Sequence, residues 1–167
     1  SMDASALFII LIAFGTFQAL FMALVLFGGN RKGLAKPLFA ILLLIEGITL
    51  LERLLADTNW IESVPHLLGI SYVLSFIKPP LILWTAKAII DQKFRLDRKH
   101  FYHLIPFFLM LLVQIPFYLM SAQEKLAFVR SFLEKVPSNT NFDYYLSLSF
   151  FAYIGIYLVL TLRLQSV

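Results

Sequence analysis

"SYVLSFIKPPLILWTAKAII", residues 71–90, is apolar enough for hydrocarbon, yet its middle holds Lys78 followed by Pro79 and Pro80. A cation and two helix breakers inside such a run decide how the rest of the chain is read. Of 167 residues, 60% are hydrophobic and 14% charged, with a mean hydropathy of +0.82. A soluble domain sits near roughly 45–50% apolar and about 25% charged. The apolar residues fall in runs of about the 18–20 that a helix needs to cross a bilayer. The sequence therefore predicts an all-α integral membrane protein, with membrane lipids as its first partners.

Five spans are expected: about 4–28, 37–55, 65–90, 101–120 and 143–164, forming one transmembrane domain over 1–167. The first carries no charge and is closed by "FGGNRKG", and Pro37 suits the first turn of the second. A signal peptide does not fit residues 4–28, which lack a basic leader and a small-residue cleavage site. Ser1 ahead of Met2 reads as a remnant of tag removal. With no cysteine, disulfides and thiol chemistry are excluded.

Arg31, Lys32, Lys36, Lys87, Lys93, Arg95, Arg98, Lys99 and Arg163 fall on one side of these spans; Arg53, Lys125, Arg130 and Lys135 fall on the other. That nine-to-four asymmetry predicts an outer N-terminus and a cytoplasmic C-terminus, in the inner (plasma) membrane as a multi-pass protein. The net charge of +4 is then topological, and no nucleic-acid contact by these residues is needed to explain it. Trp60, Tyr118, Tyr144 and Tyr145 on the outer side and Tyr102 on the inner fit an aromatic belt.

Between spans four and five, "SAQEKLAFVRSFLEKVPSNTN" is too charged to cross. Leu126, Val129, Phe132, Leu133 and Val136 nevertheless share one helical face. An amphipathic helix on the outer interface is expected, opened by a capping box of Ser121 and Glu124 and closed by Pro137.

Lys78 lies near the midplane, where an insertion scale charges about 2.5–3.5 kcal/mol for a lysine. Glu46, about nine residues from each end of its span, reaches nearly the same depth. The two are expected to pair, with Gly47 allowing a neighbouring helix to approach closely. Pro79 and Pro80 lack the N–H groups that would bond the carbonyls of Ser75 and Phe76, so the third helix should break there. Irregular backbone at that depth must be buried in protein or line a wet cavity. Gln18, Gln114, Tyr72, Ser75 and Thr49 are the side chains at hand to complete a polar pocket. Taken singly, Gln18 and Gln114 read as interhelical hydrogen-bonding glue. The residues leave open whether Glu46 and Lys78 form a structural pair or a ligand or proton site.

His100 and His103 share a helix face, but no third ligand stands near them, and no metal or other cofactor is expected. No nucleophile with its base, phosphate loop or carboxylate dyad is visible, so an enzyme is not expected.

Residues 76–118, "FIKPPLILWTAKAIIDQKFRLDRKHFYHLIPFFLMLLVQIPFY", resemble the membrane portion of bacterial AraC-type transcriptional regulators, whose DNA-binding domain is tethered to several N-terminal spans. The resemblance rests on Pro80, Trp84, the basic loop from Lys93 to Lys99, and His103 with Pro106 and Phe107. It implies a sensor domain that binds a small or lipid-borne ligand and signals to a cytoplasmic helix-turn-helix domain. A homo-oligomer is one option for the assembly. The resemblance also implies about two further spans, so a chain ending at "TLRLQSV" reads as truncated. Lys78 departs from the small residue the family pattern places there. The alternative from another class is a subunit or fragment of a small transporter with a midplane polar site, though no internal repeat supports it.

Overall fold

The computed structural model describes residues 4–29, 33–134 and 141–164, and among these the chain is all-helical, with no strand. α1 (Ala4–Gly28) is the uncharged run expected at the N-terminus. It turns back at Gly33, whose φ of +79° a residue with a Cβ adopts only under strain, and packs along α2 (Ala35–Asp57). The close approach expected at Gly47 is made by α1: a Cβ there would fall 2.5–2.8 Å from the Leu20 side chain.

The third predicted span is bent rather than straight. Two 3₁₀ turns, Trp60–Ser63 and Pro65–Leu67, lead into α3 (Ile70–Leu74), and α4 (Lys78–Ile90) follows after a three-residue break. The two halves meet at 52°. The break expected at Pro79 and Pro80 lies instead at 75–77, and the prolines sit inside the first turn of α4. The physical reason is the ordinary one for a helix start. First-turn N–H groups have no intrahelical acceptor, so a proline there loses nothing, and its fixed φ is already helical.

A 3₁₀ turn, His100–Leu104, runs directly into α5 (Ile105–Leu119), and α6 (Ala122–Glu134) and α7 (Asn141–Arg163) complete the chain. α1 and the stretch His100–Leu119 are long and apolar enough to cross a membrane, and the bent α3–α4 pair qualifies if counted as one span. α2 does not join them, because Glu46, Glu52 and Arg53 crowd its C-terminal half. In α7 the apolar stretch among the described side chains, Leu148–Arg163, is shorter.

The core sits where α4 packs on α2. Leu38, Ile45, Leu81, Trp84 and Ala88 form it, with Leu74, Ile77 and Leu104 around them. α4 is the most enclosed element, whereas α5 buries no residue and α1 turns Phe14, Phe17 and Leu24 outward. Outward apolar faces of this extent suit lipid rather than water.

α6 opens as its sequence predicts. The Ser121 backbone N–H donates to Glu124 Oε2 at 2.8 Å, and the Glu124 N–H donates to Ser121 Oγ at 3.3 Å. Glu124 and Arg130 are exposed, and Arg130 pairs with Glu62 at 2.6 Å. Pro137, Val136 and the side chains of Val129, Phe132, Leu133, Tyr144 and Tyr145 lie outside what is described, so most of the apolar stripe does too.

Candidate functional site at the broken helix

Lys78 opens α4 and its Nζ lies 2.9 Å from Glu46 Oε1, one residue before Gly47 on α2. The Lys78 side chain is 19% exposed and that of Glu46 43%, so the cation is the more enclosed partner. α2 and α4 are thus joined by an ion pair beside their shared apolar core.

The Phe76 carbonyl, which Pro80 cannot serve, accepts a hydrogen bond from Tyr153 Oη of α7 at 2.9 Å. The Phe76 ring packs on Phe150 and Tyr153, with centroids 5.1 and 6.1 Å away. α7 therefore meets the break with both a donor and an aromatic face. One turn further, Tyr157 is buried, stacks edge-on with Tyr153, and shares a hydrogen bond of 2.6 Å with His103 Nδ1. His103 and His100 each place a ring edge-on to Trp84, while His100 Nδ1 lies 2.6 Å from Asp97. The two histidines are committed to different partners, and among the described residues no three metal-ligating side chains cluster. Trp84 Nε1 is buried with no hydrogen-bond partner among them.

Between α4 and α7 lies a cavity of about 360 Å³, bounded by Ser75, Lys78, Pro79 and Ile82 on one wall and by Phe150, Ile154, Tyr157, Leu158 and Thr161 on the other. Of the sequence-predicted residues, Ser75, Lys78 and Pro79 line it; Pro80 is buried behind them. Glu46 reaches the site through Lys78 alone. Thr49 spends its hydroxyl on the Ile45 carbonyl of its own helix at 2.8 Å. Tyr72 packs edge-on to Phe76 but does not line the cavity. Gln18 lies in a separate groove with Phe39 and Leu43, and Gln114 is half-buried on α5, so neither amide lines the cavity.

Sequence reasoning passed over four participants. Tyr153 and Tyr157 stand near the middle of the last predicted span, where a tyrosine is not an interface anchor, and that position was the available signal. Glu52 receives the N–H groups of Gly69 at 2.7 Å and Ser71 at 2.8 Å, capping α3, while Tyr118 Oη donates to the Gly69 carbonyl at 2.9 Å. Lys125 is fully buried, its Nζ 2.9 Å from His66 Nδ1 and 3.0 Å from the Tyr118 carbonyl, above the Phe117 ring. These contacts fix the far end of α3 and fasten α6 to the 3₁₀ turn ahead of it, leaving the break at 75–77 between two anchored segments.

Comparison with protein-family models, with curated proteins and with solved structures found no match to this chain.

Proposed function

We propose that this chain is a signal-input module of the bacterial inner membrane, crossing it five times with its N-terminus outside and its C-terminus in the cytoplasm. A small or lipid-borne ligand binds beside Lys78, and the bend between α3 and α4 passes the event to a cytoplasmic DNA-binding domain that follows Val167, as in the AraC-type regulators that residues 76–118 resemble. The module binds and relays; it performs no reaction.

One observation carries this reading. A cavity of about 360 Å³ opens directly on the break, and the ion that pairs the two core helices stands in its wall. Its volume lies in the usual range of small-molecule sites, about 300–1,000 Å³. A helix interrupted for three residues can adopt two bends close in energy, and a ligand that prefers one of them shifts the population.

The chain has no cysteine, so single spin labels can be placed without background. Labels at Ser63→Cys and Ile90→Cys, both exposed and on opposite sides of the bend, are expected to give two distances in nanodiscs. Their populations should change when Lys78 becomes Met. A single distance indifferent to Lys78 refutes the proposal. A reporter enzyme fused after Val167 should be active only in the cytoplasm, and activity outside would overturn the span count or the orientation.

A further inference from the structure

We infer that the cavity between α4 and α7 takes a single-chain anionic amphiphile, a medium-chain carboxylate, with its head on Lys78 and its tail along Ile82, Ile154 and Leu158. This deepens the signal-input reading and rests on it.

The donors in the wall set the charge of the head. Ser75 Oγ donates to the Ser71 carbonyl at 2.8 Å, and Thr161 Oγ1 donates to the Tyr157 carbonyl at 2.8 Å, so both hydroxyl protons are spent inside their own helices. The Tyr157 hydroxyl is held against His103 at 2.6 Å. The Lys78 ammonium, with three N–H donors, stands 2.9 Å from Glu46 as an ion pair. Among the lining residues Lys78 is the one with a charged side chain, and its ammonium is the donor group not spent within its own helix or on His103. Glu46 does not line the space, so a cationic head would meet an ammonium and no carboxylate. A head that accepts hydrogen bonds and carries negative charge fits; in a site removed from water such a bond is among the stronger kinds.

The rest of the wall sets the tail. Phe150, Ile154 and Leu158 recur every four residues on α7 and so form one stripe, while Lys78 and Ile82 face it from α4 at the same spacing. From Phe150 to Thr161 the stripe runs about 16 Å, at 1.5 Å per residue, with Lys78 in the opposite wall. That is a slot for one extended chain. A carboxylate on Lys78 competes with Glu46 for the same ammonium, so the ligand loosens the tie between α2 and α4 at the point where the bent helix begins.

The test uses the whole chain in phosphatidylcholine nanodiscs with a diazirine-bearing dodecanoate, and the chain-matched alcohol and trimethylammonium compounds as controls. Dodecanoate should label peptides containing Ile82, Ile154 or Leu158. Lys78→Met should cut that labelling about tenfold, the loss expected for one charge-assisted hydrogen bond. Lys78→Arg should keep most of it, which excludes misfolding as the cause. Glu46→Gln should raise it, because the competitor is gone, and a merely structural pair would not respond in that direction. Ile154→Trp, which fills the slot and leaves the ion pair intact, should abolish it.

Equal labelling by the alcohol or the ammonium compound overturns the inference, as does label spread over the outward residues of α1. Competition by phosphatidylglycerol as strong as that by unlabelled dodecanoate assigns the site to a bilayer lipid and overturns the single chain. The spin-label distances separate this outcome from the reading beneath it. Labelling in the slot with unchanged distances keeps the ligand and removes the signal; distances that shift with no labelling in the slot do the reverse.

Discussion

Glu46 and Lys78 should be energetically coupled in the absence of any ligand, and the two single changes should differ in cost. Glu46→Gln leaves the more enclosed partner, a lysine 19% exposed, without its counter-ion; Lys78→Met leaves a carboxylate that is 43% exposed. A charged group at a bilayer midplane, the depth the sequence predicts for this pair, costs about 2.5–3.5 kcal/mol on an insertion scale, and the opposite charge offsets part of it. Glu46→Gln is therefore expected to lose about 2 kcal/mol and Lys78→Met about 1 kcal/mol, scaled down from those limits because neither side chain is fully enclosed. The double change removes both ions and faces an apolar methionine across the core from a neutral amide, so it should recover about 1 kcal/mol or more of the summed losses. Thermal unfolding in detergent, followed by tryptophan fluorescence, to which Trp84 in the same core contributes alongside the exposed Trp60, reads all four proteins. Additivity within about 0.5 kcal/mol would refute a direct pair, since contacting residues couple and independent ones add. A larger loss for Lys78→Met than for Glu46→Gln would refute the argument from enclosure.

Tyr153→Phe should leave the Phe76 carbonyl without its donor and cost about 1–2 kcal/mol, with faster amide exchange confined to residues around 74–78; an unchanged exchange pattern would sink the role given to α7 at the break. Hydrogen bonds from the Ser121 hydroxyl and backbone N–H hold the Glu124 carboxyl below its ordinary value. Because the folded value is the lower one, the cap contributes fully above the ordinary carboxylate range and is lost as pH falls through the lowered value. The titration midpoint of Glu124, followed by NMR of its side-chain carbonyl, should rise in Ser121→Ala, and identical midpoints in the two proteins would refute the reciprocal cap.

Depth arithmetic made the Glu46 and Lys78 pair legible. Helix rise is fixed, so a residue's count from the ends of an apolar run gives its height, and two opposite charges at one height in hydrocarbon have few other partners. The same arithmetic gives height but not azimuth. Gln18 and Gln114 are near mid-span by count, yet neither lines the cavity, because nothing in an apolar helix marks which side meets which neighbour. α1 and α7 have almost no preferred apolar face, so the alignment of Tyr153 and Tyr157 with the break had no periodic signal. Lys125 was hidden for the opposite reason. On an amphipathic helix a lysine reads as solvated, and only the arrival of His66 and the Tyr118 carbonyl from other elements gives it an enclosed site. The double proline announced a break correctly but misplaced it by three residues, since a missing N–H penalises a helix interior and not its first turn.

That displacement bears on how the site can move. Had the chain broken at the prolines themselves, Lys78 would belong to the upper half and would swing with α3. With the break at 75–77, Lys78 is the first residue of α4 and moves with the core helix that carries Trp84. The Phe76 carbonyl stays in the break and is held by α7, while α3 is held by the Glu52 carboxylate and, through Gly69, by Tyr118. A ligand seated as proposed between α4 and α7 would act on two attachments of different kinds. It would compete for the Lys78 ammonium, which ties α4 to α2, and would spread the walls that bring Tyr153 to Phe76. Losing the first costs a charge its partner and losing the second leaves a carbonyl unpaired, each about 1–3 kcal/mol, which is the scale on which a minor conformer of a few per cent becomes the major one. Because α3 is anchored at its far end, the freedom released under this proposal would go into the angle between α3 and α4 rather than into unwinding, and the position of α4 relative to α7 would change with it.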